Sequence, residues 1–309
     1  MAKVVTVVGA TGAQGKGVVN AFINNPAYKV RAITRKPSSD AGKTLAAQGA
    51  EVVAADLNDL ESLKTAFANS HIIFGVTNFF EPFATHKSPT KAMEIEEKQG
   101  ITIAKAAAAT PTLEHYIWST LPNGKAISGG KYLVQHFEGK NRIDAYIREK
   151  EPALLAKTTF FWVTWYATNY VFPMFTPYYI PNGRQTPITT IGDVTANIGP
   201  FVKAVVEQRD KTANGNIVLV ATETRRAGDM LQAWATAQGK KAQFVRVSGE
   251  AFREIWPLWA EEMGVMMEFW DEFSDKSWAE PSGQKVLTKE DLGVTGFQTL
   301  EEAYKTLKL

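Results

Sequence analysis

Seven residues near the start of the chain, Gly9-Ala10-Thr11-Gly12-Ala13-Gln14-Gly15, constrain its fold more than any other stretch. They follow at once on Val4, Val5, Val7 and Val8, a β-branched run without polar alternation, as expected of a parallel strand covered on both faces. The glycines fall where a strand-to-helix turn must bend tightly, let a pyrophosphate approach the backbone, and pack the new helix on the strand. Val18, Val19, Phe22 and Ile23 continue as the apolar face of that helix, Pro26 ends it, and Val30 to Thr34 reads as a second strand. The amides at the helix start then face a dinucleotide's phosphates, for which Gly9, Thr11, Gly12, Ala13, Gln14 and Gly15 are the candidate residues.

In the NAD form of such a turn, an acidic residue after the second strand holds the ribose 2′-hydroxyl. Here Arg35 occupies that place, with Lys36 beside it. A guanidinium grips a 2′-phosphate by paired, charge-assisted hydrogen bonds, so the expected cofactor is NADP(H). The alternative is an ordinary turn followed by a solvated strand end.

With 309 residues and a hydrophobic fraction of 45%, the chain suffices for one large α/β domain with a smaller lobe. Its net charge of +2 leaves no electrostatic footprint for nucleic acid or an anionic membrane. Without cysteine it has neither disulfide, thiolate metal site nor catalytic thiol, and its four scattered histidines predict no metal centre. The first strand begins too early to leave room for a signal peptide, and no apolar run reaches the length of a membrane span. The expectation is a cytoplasmic protein, of which the sequence leaves the oligomeric state, monomer or homodimer, open.

Further strands are expected at Val52 to Ala55, His71 to Thr77, His115 to Trp118, and from Ala153 to Thr159. Asp56 and Leu57 end the third of these six strands at the ligand rim, where Asp56 either accepts from an adenine amino group or joins Asn58 and Asp59 in capping the next helix. Thr77, Asn78 and Phe79 pass under the nicotinamide half of a bound cofactor, and Phe80 walls the pocket or belongs to the core. A helix from Ser88, with Pro89 in its first turn, runs through Ala104 to Ala109, and Ser119 is delivered to the rim by the fifth strand.

A helix from about His136 to Lys150 carries two pairs spaced by four: His136 with Lys140, and Tyr146 with Lys150. A right-handed crossover leaves from the carboxyl end of one strand and returns to the amino end of the next, and ligands bind at the carboxyl ends. His136 and Lys140 therefore face the cofactor, and Tyr146 and Lys150 lie on the far side of the sheet. Lys140 is placed to bond the nicotinamide ribose, His136 to protonate a carbonyl or imine nitrogen as hydride arrives, and Ser119 to orient the substrate. The bland alternatives are a polar residue at a helix start and a solvated lysine.

The sequence resembles the NmrA-like branch of the atypical short-chain dehydrogenases/reductases. The resemblance rests on GATGAQG at Gly9 to Gly15, Thr34-Arg35, Ala55-Asp56, Thr77-Asn78-Phe79-Phe80-Glu81, His136-Phe137-Glu138-Gly139-Lys140 and Leu287-Thr288-Lys289-Glu290-Asp291-Leu292-Gly293. It implies a Rossmann domain with a small C-terminal lobe that binds NADP(H). It further implies membership of one of two groups: redox-sensing regulators, which bind the cofactor without turning it over and act on a protein partner such as a transcription factor, or reductases. His136 stands where the wider superfamily has its catalytic tyrosine. Ordinary tyrosine-dependent reduction is therefore not expected, and reductases that keep only the lysine point to Lys140.

The expected architecture is thus α/β, a doubly wound parallel Rossmann sheet over residues 1–159 and 186–222, with a smaller α+β lobe formed by 160–185 and 223–309. Phe160, Phe161, Trp162 and Trp165 open an aromatic stretch that runs to Tyr179 and is broken by Pro173 and Pro177. They line a pocket for a bulky aromatic or polyketide-like substrate, or form the lobe core or a partner surface. Ile188 to Ile191 and Ile217 to Ala221 are expected to return to the main sheet on either side of a helix from Asp193 to Glu207. Helices near Asp229 to Gln238 and Glu250 to Glu262, a strand at Phe244 to Val247, and the cluster from Trp256 to Trp270 complete the cap as pocket roof or docking face.

Overall fold

The computed structural model describes residues 2–172, 174–175, 180–181 and 187–308; the expectations placed on Pro173, Pro177, Tyr178 and Tyr179 fall outside them. β1 (Lys3–Val7) runs through the glycine turn into α1 (Ala13–Phe22) and β2 (Tyr28–Thr34). α2 (Asp40–Ala47) leads to β3 (Glu51–Ala54), and α3 (Leu60–Phe67) to β4 (Ile72–Gly75). α4 (Phe80–His86) and α5 (Pro89–Ala108) precede β5 (His115–Thr120). α6 (Gly124–Ile127), α7 (Gln135–Lys150) and α8 (Pro152–Leu155) precede β6 (Thr158–Val163). Then follow β7 (Trp165–Tyr166), β8 (Ile180–Pro181), β9 (Pro187–Gly192), α9 (Val194–Glu207) and β10 (Asn216–Val220). β11 (Glu223–Arg226), β12 (Arg246–Val247) and β13 (Val286–Leu287) are the remaining described strands.

Eight strands form one parallel sheet in the order β13-β10-β6-β5-β4-β1-β2-β3. The chain winds outward from β1 to β3 and then resumes on the other side at β4, so the carboxyl ends of β1 and β4 flank a topological switch point, the usual ligand crevice of such sheets. Helices cover both faces, which is why every residue of β5 and β6 is buried. On one face α5 and α7 pack so closely that a Cβ on Gly100 would lie 2.2 Å from the Ile143 side chain.

Two strand expectations are corrected. The sixth strand begins at Thr158 and takes in Phe160, Phe161 and Trp162, which are paired with Trp118, Ser119 and Thr120 of β5. These three aromatics are therefore core of the large sheet, at most 2% exposed, and not the start of a second lobe. Residues 187–192 do not return to that sheet; β9 pairs antiparallel with β11 and parallel with β7 in a separate three-stranded sheet. β10 does return, between β6 and β13.

The long helix expected to reach Glu262 ends at Ile255, before Pro257. After a short turn, Pro257–Trp259, the chain forms a π-helical turn over Ala260–Gly264 and continues as an α-helix over Val265–Phe273. That segment, with Trp165, Phe175 and Trp278, closes over the carboxyl side of the sheet. No helix among the described residues is long and apolar enough to cross a membrane.

Candidate active site

A continuous cleft of about 970 Å³ runs along the switch point from the glycine turn to the methionines and aromatics of the C-terminal segment. At its phosphate end Gly9 has φ +65°, and the Gly12 amide bonds the Gly9 carbonyl at 2.9 Å. A Cβ on Gly15 would lie 2.1 Å from the Gly9 oxygen, so α1 starts closer to the turn than any side chain permits. No side chain caps α1 and its first turn holds no acid, which leaves its leading amides to whatever anion enters the cleft. This cradle fits a pyrophosphate.

Arg35 and Lys36 stand at the rim beyond β2, and both line the cleft. Arg35 is not free: Nη1 and Nη2 donate to the two carboxylate oxygens of Glu81 at 2.6 and 3.0 Å, and that pairing holds its guanidinium above the usual arginine range. Asp56 accepts from both the backbone N and the Nδ2 of Asn58, at 2.9 and 2.8 Å, and those bonds hold its carboxyl below the usual range. α3 is capped by Asp59, so Asp56 is the hinge of its own turn rather than the cap. Leu57 lies beside it on the cleft wall.

Farther along, Lys140 projects from the first turns of α7 into a buried cluster. Its Nζ donates to Thr77 Oγ1 at 2.9 Å and lies 3.0 Å from Glu96 Oε1, while Thr77 donates to the same glutamate oxygen at 2.8 Å. Glu96 is fully buried and its second oxygen has no hydrogen-bond partner. An ammonium has three protons, so Lys140 keeps one for a group in the cleft. Its Nζ also sits 5.6 Å from the centre of the Trp118 ring.

One turn earlier, His136 lines the cleft against Phe79 and Phe80, whose ring centroids are each 5.7 Å away. Its Nδ1 faces a carboxylate oxygen of Glu262, from the π-helical turn, and no described residue bonds its Nε2. Across the cleft, Ser119 donates to Gln14 Oε1 at 2.8 Å and Gln14 Nε2 donates to the Tyr166 hydroxyl at 2.6 Å. Burial pushes the Tyr166 phenol up to about 12 against the opposing effect of the Gln14 bond, so it stays neutral. Among the described residues no group of His, Asp and Glu is disposed to hold a metal.

The sequence profile of the NmrA-like family matches residues 1–303. The chain belongs to the NmrA-like family. Among curated relatives, the NmrA-like family domain-containing oxidoreductase hkm9 of Aspergillus hancockii is 33% identical over 55% of this chain and 48% of its own length. The oxidoreductase FrzB of Cladobotryum is 28% identical over 82% of this chain and 79% of its own. The chain thus spans about half the length of hkm9 but most of FrzB. Among solved structures, that of NmrA, a negative transcriptional regulator, in complex with NADP superimposes with a TM-score of 0.71 at 17% identity, covering 99% of this chain and 95% of that one. That likeness shows the fold.

In this NmrA-like chain the structure gathers most of the expected residues on one cleft: Gly9 and Thr11 to Gly15, Arg35 and Lys36, Asp56 and Leu57, Thr77 to Phe80, then Ser119, His136, Lys140 and Trp165. Phe160, Phe161 and Trp162 are not on it, because they lie within an interior strand flanked by β5 and β10 that buries them in the core; only its last residue, Val163, reaches the cleft. Tyr146 and Lys150 end α7 away from the cleft, the tyrosine bonded to Glu151 at 2.8 Å. Sequence reasoning gave Glu96 and Glu262 no role and took Tyr166 only as part of the aromatic stretch after Phe160. Glu96 carried a signal, since it interrupts the apolar stripe Met93, Gly100, Ile103 of α5 at helical spacing. Glu262, a carboxylate amid Trp259, Met263, Met266 and Met267, carried the same one.

Proposed function

We propose that this NmrA-like protein is an NADPH-dependent reductase of a bulky aromatic or polyketide-like carbonyl, enone or imine. The observation that carries the reading is the placing of Lys140 and His136 one turn apart on a cleft that continues past both under an apolar roof of Trp165, Met263, Met266 and Trp270. A protein that only senses its cofactor needs no such walled space beyond the nicotinamide.

The glycine turn and the open end of α1 hold the pyrophosphate, and Arg35, released from Glu81, takes the 2′-phosphate. When bound, the cofactor supplies hydride. Lys140, anchored by Thr77 and Glu96, holds the nicotinamide ribose with its remaining proton. His136 gives a proton to the substrate oxygen or nitrogen from Nε2. Ser119, tied to Gln14, marks the opposite wall and orients the substrate. The aromatics and methionines exclude water from that end and fit a flat, apolar substrate.

The test is NADPH oxidation against a panel of aromatic ketones, quinones, enones and imines, with calorimetric binding of NADPH and NADH alongside. Turnover dependent on Lys140 supports the reductase. Tight NADPH binding with no turnover would instead favour a cofactor sensor acting on a protein partner.

A further inference from the structure

Val134, which precedes α7, makes no side-chain cap bond. The leading amides of the helix are met instead from 126 residues away in sequence, where Glu262 accepts His136 N at 3.0 Å with Oε1, and also Gln135 N at 3.2 Å with Oε2. The same Oε1 faces His136 Nδ1. Glu262 has no exposed surface and sits on a π-helical turn, a local widening that turns its side chain out of the regular α spacing. A helix cap alone requires one acceptor for the amides; it does not require the carboxylate to be shared with an imidazole.

We propose that Glu262 is a positioning residue for His136: its carboxylate fixes the ring proton on Nδ1 and thereby commits Nε2 to the cleft as the nitrogen that exchanges a proton with the substrate. This rests on the reductase reading. In the forward step the substrate carbon accepts hydride from the reduced nicotinamide, and the electron pair of the broken carbonyl π-bond moves to oxygen. That oxygen takes the Nε2 proton of the doubly protonated ring. His136 is left neutral with its remaining proton on Nδ1, toward Glu262, and a proton from water restores it. A ring free to rotate or to change tautomer would present Nδ1 or a misaligned Nε2 to the substrate. The device spans both parts of the molecule, since His136 comes from the large sheet's crossover helix and Glu262 from the C-terminal segment that roofs the cleft.

The experiment combines nitrogen-resolved NMR of the histidine side chains with a double-mutant cycle on the full chain. Four histidines make assignment practical, with H136Q identifying the His136 signals. In the parent protein the neutral ring of His136 carries its proton on Nδ1; in E262Q, which keeps the size but loses the charge, that proton signal weakens or moves to Nε2. In turnover, E262Q lowers kcat by at least about 100-fold with KM and NADPH affinity changed by less than about threefold, the signature of a lost proton-transfer geometry. In the H136Q background the same change costs nothing further, because the two residues act as one unit. Equal losses from E262Q in both backgrounds, or an Nε2 proton in the parent's neutral ring, would overturn the proposal and leave Glu262 a helix cap. If the parent turns over nothing, the reductase reading falls, and with it the proton transfer. The NMR result still decides the ring: the proton on Nδ1 supports its orientation by Glu262, and the proton on Nε2 overturns it.

Discussion

Glu81 holds the guanidinium of Arg35 with both of its oxygens, at 2.6 and 3.0 Å, on an open rim where both side chains are more than half exposed. A carboxylate thus occupies the place where a 2′-phosphate is expected to bind. An exposed pair of this kind is worth at most about 1 kcal/mol, whereas bonds from a charged guanidinium to a phosphate are worth about 1.5–3 kcal/mol each. On the proposed reading, a 2′-phosphate would displace Glu81 at a small cost.

Two opposed effects on cofactor choice follow from that exchange. Arg35→Ala weakens NADPH by about 10- to 100-fold and leaves NADH within about a factor of two. Glu81→Ala removes the competitor and tightens NADPH by up to about fivefold, again without changing NADH. Calorimetric titration of both cofactors checks each; equal weakening of NADPH and NADH by Arg35→Ala would contradict the assignment of Arg35.

On the proposed reading, the glycine turn serves both cofactors alike. Because a Cβ on Gly15 would lie 2.1 Å from the Gly9 oxygen and 2.7 Å from Ala10 Cα, Gly15→Ala forces α1 away from β1. The expected result is a loss of at least about 2 kcal/mol of stability, read from denaturant unfolding, and parallel loss of NADPH and NADH binding. Selective loss of one cofactor would contradict it.

The placing of the glycine turn and its base on the cleft was legible because it is local: the spacing of Gly9, Gly12 and Gly15, and Arg35 at the end of β2, depend on a single strand-helix-strand unit. His136 and Lys140 were legible at one remove, since the handedness of the crossover places the start of α7 at the ligand rim. The groups that pair with them were not. Glu96 and Glu262 reach them from other helices, and only tertiary packing brings those carboxylates into the site. The reading of Phe160 to Trp162 as pocket lining failed for a different reason. Their aromatic character was weighed above their pattern, although the unbroken apolar run from Phe160 to Val163 is the same signal that identified β1. β7, β11 and β13 are strands of two to four residues, too short for periodicity to register.

Tyr166 offers a second neutral hydroxyl at the cleft, and its proton competes with that of His136 for the role of donor. The Tyr166 oxygen accepts from Gln14 and burial pushes its phenol up to about 12, so on the proposed reading Tyr166 orders Gln14 and Ser119 and the proton comes from His136. Tyr166→Phe is expected to change kcat by less than about threefold, while His136→Gln lowers it by about 100-fold or more. A larger loss in Tyr166→Phe than in His136→Gln, measured under saturating NADPH, would exchange the two roles.

Asp144 lies one turn beyond Lys140 and takes Trp118 Nε1 at 2.8 Å and Thr120 Oγ1 at 2.7 Å. Desolvation raises its carboxyl to about 7, against the opposing pull of those two bonds. The unfolded chain releases this proton near the ordinary aspartate value of 3.8, so between that pH and about 7 the folded state holds one proton more and loses stability as pH rises. The loss reaches at most about 4 kcal/mol, is complete above pH 7 and absent below 3.8. His115, lowered to about 3 by burial, works in the opposite sense, losing stability as pH falls from 6.5. The difference between Asp144→Asn and the parent cancels His115 and should grow in the variant's favour from pH 4 to 7 in urea unfolding series. A flat difference would show that Asp144 is ionised in the fold.

Lys140 and Glu96 must be varied together. Lys140→Met alone strands a buried carboxylate and is expected to cost about 3 kcal/mol; adding Glu96→Gln recovers most of it, because the unpaired charge is gone. Calorimetric melting of the single and double variants checks this, and a double variant no more stable than Lys140→Met would contradict the buried pair.

That double variant makes the central measurement decisive. NADPH oxidation is followed at the cofactor's absorbance across aromatic ketones, quinones, enones and imines, for the parent and for Lys140→Met/Glu96→Gln, each shown by calorimetry to bind NADPH. The predicted result is turnover of at least one substrate class by the parent and a loss of at least about 100-fold in the folded, cofactor-binding double variant. Undiminished turnover in the double variant, or tight NADPH binding by a parent that oxidises it with none of the panel, would contradict the account of this cleft as a reductase site.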